Sequence, residues 1–435
     1  MNNIELISDD TNYLDENDIF IAKKGKNINV NNLINLALNK NPKEIISNVK
    51  NKKVKYIFNL KKYENKIIKN YKINPIIIGV TGTNGKTSTT TIIFNILKSL
   101  NKDVMLIGTN GVFYKDLKFK NRNTTPSKLS ILYLINKYLS NNSFLVIELS
   151  SQSYQRIKDI KIDYLIYTNL SNEHLDYHKT MNKYFKAKLR IIKNLKDKSN
   201  LFINIDDKYG LKLLKRYPNA HKYSLNDLII KSLNPIKFIY KNREYMSKLS
   251  IKFNIYNIYS AVLLVNKLTN EEDKIIESIK DINYIDGRNN IINYKDNKII
   301  IDYAHTPFSI ENILEYYSSI KHNNIYVLIG FGGNRDKEKR FKMVQSILKY
   351  TNNIVISEDN NRNECFIDII KSTLKEETNN LIIIQNRKEA IRYCINKLIS
   401  NDYLLILGKG NEEYMIKNNE YIKYSDYEEV IKWII

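Results

Sequence analysis

The chain has 435 residues, too many for a single hydrophobic core, so two or three domains are expected. Its 69 Lys and Arg residues outnumber its 46 Asp and Glu residues and give a formal net charge of +23 at pH 7. The only cysteines are Cys365 and Cys394, which excludes a disulfide scaffold and a cysteine zinc cluster.

The positive charge does not predict binding to nucleic acid. Lysine, asparagine, isoleucine and tyrosine are abundant throughout, and no basic stripe is interleaved with aromatic residues at a fixed spacing. No stretch has the length needed to cross a bilayer, and the start, MNNIELISDD, lacks the basic and then apolar order of a signal peptide. A cytoplasmic enzyme that binds neither nucleic acid nor membrane is therefore expected.

Residues 1–72 combine short strands with one clear helix. The strand patterns are DIFIAKK, EIISN and KYIFN, and the helical pattern is NVNNLINLALNK. Together they predict a small α/β domain.

Residues 73–286 alternate strands and helices. The predicted elements are strand PIIIGV at 75–80, a helix at 86–100, strand VMLIG at 104–108, a helix at 127–140, strand FLVIEL at 144–149, strand DYLIYTNL at 163–170, a helix from about 180, and strand LFINID. This alternation predicts a doubly wound parallel sheet.

Residues 287–435 repeat the alternation with a second set of strands. These strands are KIIIDYA, IYVLIGF, NIVIS, LIIIQ and YLLILG, each separated by a helical stretch. They predict a Rossmann-like sheet. The fold class is therefore α/β with three domains.

Residues 79–89 read GVTGTNGKTST and predict a phosphate-binding loop between a strand and a helix. Val80 stands where the common P-loop pattern has its first glycine, but Gly85, Lys86 and Thr87 keep the register. Backbone N–H groups of a first helical turn can bind an anion, and Lys86 adds a positive charge. Thr87 is then a candidate magnesium ligand. The alternative is a glycine-rich turn that carries a surface lysine.

Polar side chains follow the next strands of the same predicted sheet. Glu148 ends FLVIEL, and Ser150 follows it. The motif TNLSNEHLDYH contributes Asn169, His174, Asp176 and His178. Because carboxyl ends of parallel strands meet at one edge, these side chains are expected near the phosphate loop. Glu148 is a candidate for holding magnesium or a water molecule, and His174 is favoured for a functional role over an ordinary structural one.

Many short motifs occur in the order found in the Mur ligases. They are GTNGKT, TTP at Thr124–Pro126, ELSS, TNLSNEHLDYH, YFKAK, NIDD, FNIYN, GR at Gly287–Arg288, DYAHTP, GGNRDKEKR and GKGNE. From residue 75 onward the chain therefore resembles this family. Within it, the motifs are most similar to the branch that adds the third residue of the peptidoglycan stem peptide.

The resemblance implies an ATP-dependent, ADP-forming amide ligase. In this family the γ-phosphoryl group of ATP passes to the D-glutamate side-chain carboxylate of UDP-N-acetylmuramoyl-L-alanyl-D-glutamate, and an incoming amine then displaces phosphate. It also implies a monomer with a UDP-substrate domain at 1–72, an ATP-binding domain at 73–286 and an amino-acid-binding ligase domain at 287–435. Its partners would be small-molecule substrates.

The resemblance also implies nucleotide and metal sites. The residues that match the ATP site are Gly82, Thr83, Asn84, Gly85, Lys86, Thr87, Ser88, Asn257, Arg288, Asp302 and His305. Those that match the magnesium site are Thr87, Glu148, His174 and Lys188, and the implied catalytic residues are Lys86, Glu148, His174 and Lys188. An interdomain ion pair is the alternative for Arg288 and Asp302.

Lys188, in YFKAK, matches the lysine that family members carry as a carbamate. An ammonium group beside magnesium would be repelled, whereas addition of carbon dioxide to the amine makes an anionic oxygen ligand. The alternative is an ordinary lysine on a helix surface.

The residues that match the UDP-muramoyl-dipeptide site are Thr11, Asn123, Thr124, Thr125, Ser150 and Arg156. Hydroxyl and guanidinium groups suit the carboxylate and carbonyl oxygens of that substrate. The N-terminal match is weaker, because Asp10-Thr11-Asn12 replaces the usual Asp-Ser-Arg and the glycine-rich stretch after FIAKKG is missing.

The residues that match a diaminopimelate site are Arg335, Asp359, Asn360, Arg362, Gly408 and Glu412. Family members that use meso-diaminopimelate carry Asp-Asn-Pro-Arg, whose arginine binds the distal carboxylate that lysine lacks. Here Asn361 replaces the proline, which predicts a less rigid loop, and Asn411 replaces a histidine common in the last motif. The arginine favours meso-diaminopimelate over L-lysine.

Other functions fit the motifs less well. The alternatives within the superfamily are a ligase for D-alanyl-D-alanine and a folate polyglutamate synthetase, which lacks the TTP and Asp-Asn-x-Arg elements. A nucleic-acid motor would need a second acidic box after a strand, which the sequence does not contain in recognisable form. A non-catalytic binding protein is disfavoured because no proposed metal or phosphate ligand is missing.

Overall fold

The computed structural model describes residues 5–23, 29–171, 178–374, 381–418 and 420–435, and the chain forms two compact units. The first unit comprises Met1–Leu170, Phe185–Leu225 and Asn257–Ser278. The second comprises Ser171–Tyr184, Asn226–Tyr256 and Ile279–Ile435. Within the described ranges, no helix is long and apolar enough to cross a membrane.

The first unit begins with a four-stranded parallel sheet. Its strands, in both chain and spatial order, are β1 (Ile7–Ser8), β2 (Ile19–Ala22), β3 (Glu44–Ser47) and β4 (Lys55–Tyr56). Helices α1 (Val30–Leu38) and α2 (Leu60–Ile68) accompany it. Side chains of β2 alternate between two apolar clusters, Phe20 with residues of α1 and Ile21 with residues of α2. This alternation buries both faces of β2.

An eight-stranded sheet forms the main part of the first unit. Its strands are β5 (Ile76–Thr81), β6 (Val104–Gly108), β7 (Gly111–Tyr114), β8 (Leu117–Phe119), β9 (Phe144–Leu149), β10 (Tyr164–Tyr167), β11 (Leu201–Asn204) and β12 (His221–Tyr223). The spatial order is β12-β11-β10-β5-β9-β6-β7-β8. The six strands from β12 to β6 run parallel, and β7 and β8 add an antiparallel edge.

Helices follow most of these strands. They are α3 (Lys86–Ser99), α4 (Lys128–Tyr138), α5 (Tyr154–Ile157), α6 (Met181–Ile192), α7 (Lys208–Arg216), α8 (Lys252–Thr269) and α9 (Glu272–Lys280). At the carboxyl edge of the sheet, Thr81 pairs with Tyr167 on one side and with Leu149 on the other. The loops that leave β5, β9 and β10 therefore begin side by side.

The second unit contains a six-stranded sheet and two smaller antiparallel sheets. The small sheets are β13 (Ile229–Leu233), β14 (Ile236–Tyr240) and β15 (Arg243–Ser247), and the hairpin β22 (Tyr414–Lys417) and β23 (Glu420–Lys423). The large sheet has the order β16 (Asn290–Tyr294), β17 (Asn297–Asp302), β21 (Tyr403–Leu407), β18 (Ile325–Phe331), β19 (Asn353–Glu358) and β20 (Leu381–Ile383). All but β16 run parallel.

Two apolar clusters cover the faces of the six-stranded sheet. Alternate residues of β21 face opposite ways, with Leu405 in one cluster and Leu404 in the other. The helices of this unit are α10 (Pro307–Ser318), α11 (Lys337–Leu348), α12 (Phe366–Thr373), α13 (Arg387–Lys397) and α14 (Asp426–Ile434). Because both faces are buried, the strands read as continuous apolar runs in the sequence.

The predicted α/β class and the long apolar strands are confirmed. The structure adds what the apolar pattern did not reveal, namely the antiparallel strands β7, β8 and β16, the three-stranded sheet and the hairpin β22–β23. Of these, β8, β13, β16 and β23 are short and partly or fully exposed, so their sequences lack the buried run that marks a parallel strand. The predicted domain boundaries at residues 72 and 286 remain predictions.

Candidate active site

The predicted strand, phosphate loop and helix are present as β5, residues 82–85 and α3. Gly82 has φ +153° and Gly85 has φ +83°, a backbone region that favours glycine. A Cβ atom on Gly82 would come 1.9 Å from Oγ1 of Thr168, and one on Gly85 would come 2.5 Å from Oδ1 of Asn257. The two glycines therefore allow this loop to pack closely against its neighbours.

Residues that follow β10 hold the phosphate loop in place. The backbone N–H of Thr83 donates to the carbonyl of Asn169 at 2.9 Å, and that of Asn84 donates to Oδ1 of Asn169 at 3.0 Å. The hydroxyl of Thr168 donates to the carbonyl of Asn84 at 2.7 Å. Lys86 donates from Nζ to the carbonyl of Thr83 at 2.7 Å. The loop is thus preorganised by protein groups, with the charge of Lys86 lying across it.

Glu148 lies at the end of β9, 1% exposed, and is oriented by hydroxyl and backbone donors. Its Oε1 accepts from the backbone N–H of Thr109 at 2.9 Å, and its Oε2 accepts from the hydroxyls of Thr109 at 3.1 Å and Thr87 at 3.2 Å. Gly108 makes room, because a Cβ there would come 2.3 Å from Oε1. Glu148 and Thr87, both predicted metal ligands, are therefore brought together.

Lys188 lies on α6 and is buried, with 1% exposure. Its Nζ donates to the carbonyl of Gly82 at 2.7 Å and to Oγ1 of Thr81 at 3.2 Å. An ordinary lysine on a helix surface is therefore the wrong interpretation. The side chain reaches the point where β5 enters the phosphate loop.

The side-chain oxygen atoms of Thr87 and Glu148 suit a hard cation such as magnesium. The Thr87 hydroxyl and the Glu148 carboxylate lie 3.2 Å apart, and both are oxygen groups of the kind that magnesium prefers. In the described part of the chain, no group of three or more His, Cys, Asp or Glu side chains forms a metal site.

Two of the histidine-motif residues, His174 and Asp176, lie outside the described residues. His178 is described, and its ring stacks on that of Tyr184 with centroids 4.8 Å apart. The metal-binding role of His174 remains a prediction.

The residues that were matched to the dipeptide substrate cluster around Thr125. Its hydroxyl donates to the carbonyl of Glu148 at 2.7 Å and accepts from the backbone N–H of Ser150 at 3.2 Å. Arg156 donates to the carbonyl of Thr125 at 2.7 Å and to Oδ1 of Asn123 at 3.2 Å. The structure therefore brings these side chains together beside Glu148.

Thr124 links this cluster to the predicted metal ligand Glu148 through Thr109. Its hydroxyl lies 3.1 Å from that of Thr109, which also binds Glu148. At the N-terminal end of the unit, Thr11 is buried and accepts a hydrogen bond from Arg122 at 2.8 Å. Arg122 also lies 3.6 Å from the carboxylate of Asp10.

Asn257 is buried on α8 and lies against the first turn of α3. Its Oδ1 accepts from the hydroxyl of Thr89 at 3.2 Å. Together with the close approach to Gly85, this places the amide at the helical end of the phosphate loop.

In the second unit, Arg288, Asp302 and His305 lie together around Tyr303. The guanidinium of Arg288 stacks 4.3 Å from the centre of the Tyr303 ring, and Nδ1 of His305 lies 2.7 Å from the Tyr303 carbonyl oxygen. Asp302 accepts from the backbone N–H of Asn289 at 2.6 Å. Burial raises the pKa of Asp302, although the charge of Arg288 opposes the shift. The three residues therefore lie close together, and their assignment to the nucleotide site remains a prediction.

A buried lysine, Lys409, organises the predicted amino-acid site. Its side chain is 0% exposed and donates at 3.1 Å to Asp359, at 3.1 Å to Glu412 and at 2.8 Å to the carbonyl of Tyr414. Burial raises the pKa of Glu412. Burial also opposes ionisation of Asp359, but Lys409 and Arg387 outweigh it and lower the pKa of that carboxyl. The site therefore holds two carboxylates with different proton affinities.

Two arginines lie close to Gly332 in the same unit. A Cβ on Gly332 would come 3.1 Å from a terminal nitrogen of Arg362 and 3.6 Å from Cγ of Arg335. Burial, followed by the charge of Arg335, lowers the pKa of Arg362. Arg362 donates to the carbonyl of Gly333 at 2.7 Å. Two neighbouring cations of this kind suit an anionic group such as a carboxylate.

Gly408 lies between the last long strand and Lys409. It has φ +108°, a conformation that residues with side chains rarely adopt. The strand β21 therefore turns sharply at this residue before the chain reaches Glu412.

Sequence reasoning missed four side chains that support these sites. They are Thr109, Arg122, Thr168 and Lys409. A signal existed for Lys409, which lies inside the quoted motif GKGNE, and for Thr109, which follows a strand just as Glu148 ends one. Arg122 and Thr168 act through contacts to distant segments, which the local pattern does not reveal.

Two family models match the chain. A model of the Mur ligase middle domain matches residues 80–265, and a model of the Mur ligase glutamate ligase domain matches residues 287–410. Together they cover both the phosphate loop and the two arginines beside Gly332.

Individual proteins match over nearly the full length. One from Fusobacterium nucleatum, named UDP-N-acetylmuramoyl-L-alanyl-D-glutamate--2,6-diaminopimelate ligase, is 32% identical and covers 96% of this chain and 91% of its own. A protein of the same name from Rickettsia rickettsii is 32% identical and covers 99% of this chain and 96% of its own. The solved structure of MurF ligase from Thermotoga maritima in complex with ADP is 18% identical, with a TM-score of 0.71 over 100% of this chain and 98% of that one. That last similarity concerns the fold.

Proposed function

This chain belongs to the Mur ligase family of ATP-dependent ligases, and we propose that it adds meso-diaminopimelate to UDP-N-acetylmuramoyl-L-alanyl-D-glutamate. The product would be the UDP-muramoyl tripeptide used in peptidoglycan synthesis. Relatives that carry this activity in their names match the chain over almost its whole length.

The observation that carries the choice of amino acid is the pair of cations at Arg335 and Arg362. Diaminopimelate differs from lysine by a second carboxylate, and a guanidinium group binds a carboxylate through two parallel hydrogen bonds. The carboxylates of Asp359 and Glu412 supply negative charge for the ammonium group beside it. L-lysine has no distal carboxylate to offer to Arg362, whose guanidinium is partly buried.

The chemistry proceeds through activation of a carboxylate. The γ-phosphoryl group of ATP is transferred to the D-glutamate side chain, which gives an acyl phosphate and ADP. The amine of diaminopimelate attacks the carbonyl carbon, phosphate leaves with the electron pair of the C–O bond, and the nitrogen loses a proton. Positioning of the reactants and neutralisation of phosphate charge are the protein's tasks in such a reaction.

The phosphate loop supplies much of that neutralisation in this proposal. Residues 82–88 would bind the triphosphate, with Lys86 near its outer phosphates, and Asn257 would contact the adenine. Bound magnesium would screen the negative charge of the phosphate oxygens, held by Thr87, Glu148 and His174. Arg288, Asp302 and His305 would complete the nucleotide site.

Lys188 would serve as a carbamate in the active enzyme. Carbon dioxide would add to the neutral amine with release of a proton, and the product carries an anionic oxygen where the ammonium was. The burial of Lys188 at the phosphate loop supports this role, because a carbamate there is shielded from water and close to Thr81 and Gly82.

The UDP-muramoyl dipeptide would bind along Asn123, Thr124, Thr125, Ser150 and Arg156. Their clustering next to Glu148 supports this assignment, since the carboxylate to be activated must approach the phosphate site. Thr11 would lie near the uridine end, assisted by Arg122. The proposal also includes a cytoplasmic monomer that acts on small molecules without nucleic acid, and domains bounded near residues 72 and 286.

Phosphate release tests this function directly. Purified protein with ATP, magnesium and the UDP-muramoyl dipeptide is expected to release phosphate with meso-diaminopimelate and far less with L-lysine or D-alanyl-D-alanine. Release with L-lysine alone would contradict the argument from Arg362. Release with D-alanyl-D-alanine and a tripeptide acceptor, but not with diaminopimelate, would instead support the alternative of a ligase for D-alanyl-D-alanine.

A further inference from the structure

The two cations near Gly332 belong to different loops of the second unit. Arg335 lies in the loop 332–335, between β18 and α11, and Arg362 lies in the loop 359–364, between β19 and α12. The distance between the two guanidinium groups therefore depends on the tertiary contacts that join these loops.

The loops meet at Gly333. Its backbone N–H donates to the carbonyl of Asn360 at 2.9 Å, and its carbonyl accepts from Nη1 of Arg362 at 2.7 Å. A Cβ on Gly333 would come 1.8 Å from the carbonyl oxygen of Asn361, so the two backbones lie in direct contact. Only glycine allows the loops to approach this closely.

Arg340, on α11, is attached to both loops at once. Its Nη2 donates to the carbonyl of Gly332 at 3.0 Å. Its Nη1 and Nη2 donate at 2.8 and 2.6 Å to the two carboxylate oxygens of Glu364. Oε2 of Glu364 also accepts from the backbone N–H of Asn334 at 2.6 Å. This ion pair thus holds the first loop at Gly332 and Asn334 and ends in the second loop.

The guanidinium of Arg340 has no surface left for a substrate. The residue is 2% exposed, and its four terminal N–H groups are matched by four contacts, the last being to the hydroxyl of Ser372 at 2.7 Å. The fifth N–H, on Nε, is buried without an acceptor in the part of the chain that the structure describes. The hydrogen bonds from Arg340 are the main cause that lowers the pKa of Glu364 to about 2, so the pair stays ionised at neutral pH. Any effect of Arg340 on the substrate must therefore pass through its partners.

We propose that Arg340 is a positioning residue, which holds Arg335 and Arg362 at the distance that a carboxylate requires. It acts through Glu364 and the backbone of the first loop. This inference rests on the proposed function, in which one carboxylate of diaminopimelate binds at the two arginines. Like charges repel, so the empty site would relax by moving these arginines apart unless their loops were held together. The ion pair holds them, and the substrate then meets two guanidinium groups that are already in place.

Arg340→Lys tests this role while keeping a positive charge beside Glu364. The single donor nitrogen of lysine cannot span the acceptors on both loops. We expect the KM for diaminopimelate to rise about tenfold or more, with the KM for ATP changed by less than about threefold. The kcat/KM for L-lysine should also change by less than about threefold, because L-lysine lacks the distal carboxylate that the arginines would bind.

Hydrogen exchange without substrates reports on the link between the loops. In Arg340→Lys, the backbone amides of Gly333 and Asn334 should exchange at least about tenfold faster, because both donate to the second loop. A double variant tests whether Arg340 acts through Glu364. Adding Glu364→Gln to Arg340→Lys should raise the KM for diaminopimelate by less than about twofold further, since both substitutions break the same connection.

Val344→Ala is the matched control for a loss of stability. Val344 lies one turn further along α11, is 2% exposed and packs in the apolar cluster on one face of the sheet. The substitution should lower the midpoint of thermal unfolding, because it leaves a cavity in that cluster. It should leave the KM for diaminopimelate and the exchange of the Asn334 amide near the wild-type values.

The outcomes separate the positioning role from a purely structural one and from the proposed function. Faster exchange with an unchanged KM for diaminopimelate would overturn the positioning role, and so would equal losses of kcat/KM with diaminopimelate and L-lysine. Unchanged exchange would overturn the link between the loops. If wild-type protein released no phosphate with diaminopimelate, the proposed function would fail, and exchange in Arg340→Lys would still decide whether Arg340 joins the two loops.

Discussion

Gly82→Ala tests whether the backbone geometry of the phosphate loop is required for nucleotide binding. Gly82 has φ +153°, and a Cβ there would lie 1.9 Å from Oγ1 of the buried Thr168 and 3.0 Å from the backbone nitrogen of Asn169. The methyl group cannot fit unless the loop shifts or Thr168 rotates. Rotation would break the hydrogen bond of 2.7 Å from Thr168 to the carbonyl of Asn84.

The size of the effect follows from the backbone strain at position 82 and from the loss of the Thr168 hydrogen bond. Holding a residue with a side chain in this backbone region costs about 1–3 kcal/mol. Loss of the hydrogen bond adds about 1 kcal/mol. If the whole of the resulting 2–4 kcal/mol, a rough sum, falls on nucleotide binding, the Kd for ATP rises roughly 30- to 700-fold.

Two measurements are needed because the strain can be relieved in two ways. Titration calorimetry gives the Kd for ATP, and denaturant unfolding gives the free energy of unfolding without ligand. If the loop moves, ATP affinity falls; if the loop stays in place, the free energy of unfolding falls. We expect the two losses together to reach about 2–4 kcal/mol.

Gly79→Ala is the matched control, three residues earlier in β5. Its Cβ would meet the ends of two apolar side chains, Leu149 at 2.6 Å and Leu165 at 3.0 Å, so it should reduce stability while leaving ATP affinity unchanged. A Gly82→Ala protein with ATP affinity and stability both close to wild type would refute the proposed loop geometry.

Three further predictions concern other parts of the two sites. Lys188→Ala should lose most ligase activity and regain part of it with added short-chain carboxylic acids. The control Lys186→Ala, on the exposed side of the same helix, should stay active. Full activity of the Lys188 variant would contradict the proposed carbamate. Arg362→Lys should raise the KM for diaminopimelate by about tenfold or more, because a lysine side chain cannot bind a carboxylate through two parallel hydrogen bonds. It should also reduce the preference for diaminopimelate over L-lysine, measured by phosphate release. An unchanged preference would contradict this role. Burial raises the pKa of Glu412, so as the pH falls this carboxylate should be protonated at a higher pH than an ordinary glutamate. Its protonation should raise the KM for diaminopimelate, and Glu412→Gln should flatten that acidic limb of the pH profile.

The long apolar strands and the phosphate loop could be predicted because their signals are local. A strand such as β9 is buried on both faces and therefore reads as a continuous apolar run. The spacing of Gly85 and Lys86 at a strand-to-helix turn predicts an anion site. The clustering of Glu148 with Thr87 also followed from the sequence, because the carboxyl ends of parallel strands share one edge.

The supporting residues could not be predicted in the same way. Lys409 lies inside the quoted motif GKGNE, but only the folded chain shows that it is buried between Asp359 and Glu412. The sequence predicted a less rigid loop at Asn361, but could not show the hairpin that fixes this loop from a separate segment. Such contacts depend on which distant residues the fold brings together, and a single sequence carries no periodic signal for them.

The sequence alone thus determined the α/β class and the phosphate loop, because these depend on hydrophobic periodicity and local backbone preferences, while the residues of the other sites were implied by the resemblance to the Mur ligases. The tertiary structure decided which polar groups are buried and which partners orient them. Lys188 shows the difference, because a helical pattern allows either a surface lysine or a buried one. Packing of α6 against the end of β5 buries its amine at the carbonyl of Gly82.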